Sequence, residues 1–120
     1  MINFFNKYKI IFYFINICLI FIYLFPGSIF GCIFLKNCKV QPQITPDLAF
    51  ISSNHFYAFF ILSVIGYFTF YKKKQIRYLF IYLSFVSIFL EIFHLFIPER
   101  SFQWSDLFGN LLAVVVIILI

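Results

Sequence analysis

The chain has 120 residues, of which 64% are hydrophobic, 25% aromatic and only 11% charged. A soluble domain carries about 45–50% apolar and about 25% charged residues, and a short chain buries too little of its surface to hide such an excess, so lipid is the expected solvent. The net charge of +5 does not point to nucleic acid, because Lys7, Lys9, Lys36, Lys39, Lys72, Lys73, Lys74 and Arg77 flank apolar runs instead of gathering on one polar face.

Four apolar runs read as membrane helices against the roughly 20 residues that a span needs. The first covers residues 10–25 and can extend back through Phe4 and Phe5. A basic start before an apolar core also resembles a signal peptide, and Ile29-Phe30-Gly31-Cys32 a lipoprotein box. Phe30 is too bulky for that cleavage site, so a retained span is expected. The second run covers residues 55–71, the third 78–97, and the fourth 102–120. The last suffices as a span only if it begins near Ser101, with Ser101 or Ser105 as N-cap. The expected fold is all-α, a single domain over residues 1–120 built as an integral membrane bundle of four transmembrane helices. Lys7, Lys9, Lys72, Lys73, Lys74 and Arg77 fall on one side, and Lys36, Lys39 and Arg100 on the other. The positive-inside rule then puts both termini in the cytoplasm. Cys32 and Cys38 lie in the first outer loop, where an oxidising compartment would let them pair.

In such a chain the polar residues inside the runs carry the information. Ser84, Ser87, Glu91 and His94 follow one another at spacings of 3, 4 and 3, which is one helical face. With the helix ending at Ile97, Glu91 would lie about 9 Å below its end. A buried acid is costly, so this face should point into the bundle. Asp106, Asn110 and Ala113 repeat the pattern on the fourth run, and His55 opens the second, with Gly66 three turns below it for close helix approach. In the predicted topology His55, Glu91, His94, Arg100, Asp106 and Asn110 converge in the outer half of the bundle.

The segment Glu91-Ile-Phe-His94-Leu-Phe-Ile-Pro98-Glu-Arg100-Ser-Phe102-Gln-Trp-Ser-Asp106-Leu-Phe-Gly-Asn110 resembles the E-x-x-Q…P-x-R-x-F-x-x-x-D-x-x-x-N signature of the VanZ-like family. His55-Phe56-Tyr57-Ala58-Phe59 is similar to its H-F-x-A-Y element, and Pro26-Gly27-Ser28 to the turn after its first span. His94 stands where the family has Gln, Ile51 and Ser52 where it has Asp and Lys, and Ala113 where it has Gly. The resemblance implies envelope-associated work in bacteria and a link to resistance to glycopeptides of the teicoplanin type; it implies no particular reaction.

Glu91 and His94 are candidates for acid/base work, since His titrates near neutrality and a desolvated Glu is pushed upward. The alternative is that they only hydrogen-bond across helices. Arg100 suits a phosphate or carboxylate through its planar fork, against an ion pair with Asp106 or Glu99. His55, Glu91, His94 and Asp106 supply metal-ligand atom types, but no spacing such as H-E-x-x-H singles them out, and neither metal nor cofactor is expected. Cys18 reads as a small apolar residue, and no G-x-S-x-G elbow supports serine catalysis. The preferred function is binding of a polar or anionic headgroup, on a membrane lipid or a lipid-linked envelope precursor. Arg100, Asp106, Asn110 and His55 would contact it. A membrane-embedded enzyme acting on such a headgroup, and a non-catalytic assembly subunit, are the alternatives.

Overall fold

The structure is a computed structural model describing residues 4–120. The described residues form five helices and no strand: α1 (Phe4–Leu24), α2 (Ile29–Phe34), α3 (Ser53–Thr69), α4 (Lys73–Phe93) and α5 (Trp104–Leu119). The four long helices run alternately up and down. At one end Thr69 Oγ1 reaches the Tyr8 carbonyl, and the rings of Phe12 and Phe70 meet edge-on at 5.3 Å. At the other, Tyr23 packs against Phe59 and His94, at 5.7 and 6.0 Å. These are the Phe12 end and the Tyr23 end of the bundle.

Helical periodicity explains which side chains face inward. On α1 the buried residues are Phe12, Asn16, Leu19 and Tyr23, at spacings of 4, 3 and 4, while Ile10, Phe14, Ile17 and Phe21 are exposed. On α4 the buried stripe is Leu79, Leu83, Ser87, Leu90 and Glu91, with Ser84 at its edge. Ile81, Phe85, Ile88 and Phe89 point outward. Such apolar outer faces exceed what soluble monomers usually expose. Lys7–Leu24 of α1 and Lys73–Phe93 of α4 are each long and apolar enough to cross a membrane. The 17 residues of α3 and 16 of α5 are shorter, about 26 and about 24 Å at about 1.5 Å per residue.

Several helix limits differ from those predicted, each for a physical reason. The backward extension of the first run is realised from Phe4. The third run begins at Lys73, five residues earlier than predicted, because its lysines are helical and not a flank. It stops at Phe93 and not at Ile97. Pro98 has no N–H to give and disfavours helical geometry at Ile97. The chain instead closes with three-residue turns, Leu95 N–H to Ile92 O and Phe96 N–H to Phe93 O. Glu91 is therefore in the last turn of α4, shallower than predicted. The fourth helix starts at Trp104, and Ser101 and Ser105 are not its caps; Gln103 holds that position in extended geometry. Its N–H donates to Glu91 Oε1 at 3.1 Å, which anchors the start of α5 to the end of α4. The loop after α1 also contains an unpredicted short helix, α2, capped by Ser28 Oγ accepting from the Gly31 N–H. Cys32 and Cys38 close that segment as a disulfide.

Candidate functional site

The Tyr23 end is assembled by a close approach of α3 and α5. A side chain at Gly109 would have its Cβ 2.6 Å from the Ser52 carbonyl oxygen and 3.3 Å from the Phe56 nitrogen. Both neighbours are main chain and cannot yield. The Ser52 N–H donates to the Ser105 carbonyl at 3.0 Å, tying the two helix starts together. Asp47 accepts from the Ser53 N–H at 3.0 Å, a carboxylate at a helix N-terminus, where the dipole favours it. This register brings His55 Nε2 to 3.5 Å from Asp106 Oδ2.

Glu91 and His94 come from the end of α4 and are almost completely buried, at 0% and 1% exposure. His94 Nε2 lies 2.9 Å from the Tyr23 carbonyl, which can only accept, so this nitrogen carries a hydrogen and donates it. The other ring nitrogen, Nδ1, lies 3.2 Å from Glu91 Oε1. The hydrogen between them comes from an imidazolium or from a protonated carboxyl. Tyr23 completes the wall, its hydroxyl donating to Asn110 Oδ1 at 2.9 Å and its ring lying 4.9 Å from that of His55.

Five of the six residues singled out from sequence thus meet around Tyr23: His55, Glu91, His94, Asp106 and Asn110. Arg100 stands at the margin. Its Nε donates to the Phe25 carbonyl at 3.1 Å and its Nη2 to the Ile22 carbonyl at 3.0 Å, which satisfies main-chain acceptors left open at the end of α1. Partial burial lowers its pKa, against the raising effects of Tyr23, Asp106 and Glu91.

Tyr23 and Gly109 are the site residues that sequence reasoning missed. Tyr23 is one aromatic among many in an apolar run. Its place four residues after Leu19 on the buried stripe is the only signal it gives. Glu91 Oε2 has no hydrogen-bond partner within the protein, and His55 Nδ1 and Asn110 Nδ2 make no bond of good geometry, although the two side chains lie near enough to influence each other. Ligand atoms of His55, Glu91 and Asp106 lie within 4.8 Å of one another, so these three could hold a cation. The cluster can therefore exchange protons, accept a cation, or receive a polar group needing both donors and acceptors. No family model, curated protein or solved structure matches this chain.

Proposed function

We propose that this protein is a VanZ-like integral membrane protein of the bacterial envelope, with α1, α3, α4 and α5 as four spans and both termini cytoplasmic. Its Tyr23 end faces outward and binds the polar, anionic headgroup of a lipid or of a lipid-linked envelope precursor. One observation carries this reading: of the five buried side-chain polar atoms without partners among the described residues, three gather in one cluster of ionisable groups, whereas buried polar groups in proteins are nearly always paired. A headgroup rich in oxygen and hydroxyl would satisfy all three. Two N–H groups of Arg100 are held by α1, and the rest of its five donors serve the anion. The Glu91–His94 contact at 3.2 Å supports the second reading, an enzyme using this pair as acid and base on the same headgroup.

Mass spectrometry of lipids retained by the purified protein tests the binding. An anionic lipid should be enriched with the wild type and fall several-fold in Arg100→Lys, which keeps charge but loses the fork, and in Asn110→Ala. Ser84→Ala, on the edge of the α4 stripe, should retain the wild-type profile. Identical profiles in all four proteins would leave the cluster as packing in an assembly subunit.

A further inference from the structure

We propose that His55, Glu91 and Asp106 form a binding site for a divalent transition-metal ion of the zinc type. The three contribute one imidazole nitrogen and two carboxylate oxygens from α3, α4 and α5, all within 4.8 Å of one another. The independent sign of a ligand is Glu91 Oε2. This side chain is wholly buried, yet that oxygen has no partner. Its twin, Oε1, is held by His94 Nδ1 and by the Gln103 N–H. Ligating carboxylates are commonly fixed in this way by hydrogen bonds to the atom that does not bind the ion.

Charge and spacing agree with that assignment. Two carboxylates this close repel when both are ionised, and a divalent ion between them removes the conflict. Ligand atoms around a tetrahedral zinc at about 2.0–2.1 Å stand about 3.4 Å apart. His55 Nε2 and Asp106 Oδ2, at 3.5 Å, already have that spacing, and a Glu91 oxygen lies within 4.8 Å of the ligand atoms of both. An imidazole ligand selects zinc-like ions over calcium or magnesium, which prefer oxygen alone. The His55 and Asp106 side chains are 14% and 16% exposed, so the three ligands border the surface, and a fourth would be water or an anionic oxygen. Here Glu91 Oε2 is met by the ion and not by a headgroup hydroxyl, so the ion site stands without the headgroup reading, and its test contains no lipid measurement.

The full chain is purified in detergent with a histidine-free tag and Cys18→Ala, which removes a competing thiol. It is stripped with a chelator, then titrated with zinc chloride by calorimetry, with metal counted after gel filtration. One zinc per chain is expected, unaffected by excess calcium, with affinity about tenfold or more weaker in Asp106→Asn and in His55→Gln. The cobalt(II) form of the otherwise unmutated site gives a reading independent of those variants. It should show visible d–d bands of a low-coordinate nitrogen and oxygen site, without a sulfur charge-transfer band. A different stoichiometry, unchanged affinity in either variant, or a cobalt spectrum of the hydrated ion or of a thiolate site would overturn the proposal.

Discussion

The two ends of the bundle solve the packing problem in opposite ways. At the Phe12 end, α1, α3 and α4 interlock through Phe12, Phe70 and Leu79 around Gly66, with Thr69 bonded to the Ile65 and Tyr8 carbonyls and Asn16 Nδ2 donating to the Tyr82 hydroxyl one turn further in. Asn16 Oδ1, one turn from Phe12, and Ser63 Oγ, one turn from Gly66, lack partners there, but no ionisable side chain stands beside them in the buried stripe of α1 or α3. At the Tyr23 end two carboxylates, two imidazoles, a carboxamide and a guanidinium converge, and three buried atoms go without partners. Burying a polar group without a hydrogen bond costs about 1–3 kcal/mol by protein mutational measure, and apolar replacements would avoid that cost. Unmatched neutral atoms occur toward both ends, and what sets the Tyr23 end apart is that its unmatched atoms sit among ionisable side chains.

Substitutions at matched positions turn this contrast into measurements. The largest expected effect is at Glu91. Glu91→Ala strands His94 and removes the acceptor of the Gln103 N–H, and breaking a buried pair from one side costs about 3–5 kcal/mol. Thermal or denaturant unfolding in detergent would read it; a loss below about 1 kcal/mol would mean that the cluster is far more hydrated than its burial indicates. The two glycines come next and compare the ends directly. Gly109→Ala presses a methyl group onto the main chain of α3, with an expected loss of about 2–3 kcal/mol. It should also part His55 from Asp106, so zinc uptake should fall with it. Gly66→Ala meets only the side-chain tips of Leu79 and Phe12, at 2.9 Å. Those tips can turn aside, and a loss of about 1 kcal/mol or less is expected. Equal losses at the two glycines would erase the distinction between a rigid and a yielding contact.

Much of the site was legible in the sequence because helical periodicity is local. The intervals linking Ser87, Glu91 and His94 require a common face, and those three are buried together. Asp106 and Asn110 are one turn apart for the same reason. Alternating helix direction then carries His55, the Glu91–His94 pair and Asp106 to one end. The Cys32–Cys38 pair was likewise within reach, since six residues of separation and a turn bring the two sulfurs together.

Only the tertiary structure decided the remainder, because it depends on distances between segments far apart in the chain. The start of α5 is anchored by a carboxylate twelve residues earlier, which accepts from the Gln103 N–H. Tyr23 becomes part of the site because its carbonyl lies under His94, 71 residues away. Arg100, which its chemistry suits to an anion, has two donors committed to α1 carbonyls. Gly109 matters because the Ser52 carbonyl leaves no space beside it for a side chain. Periodicity can state which residues share a face, but it contains no information about what the neighbouring helix sets against that face.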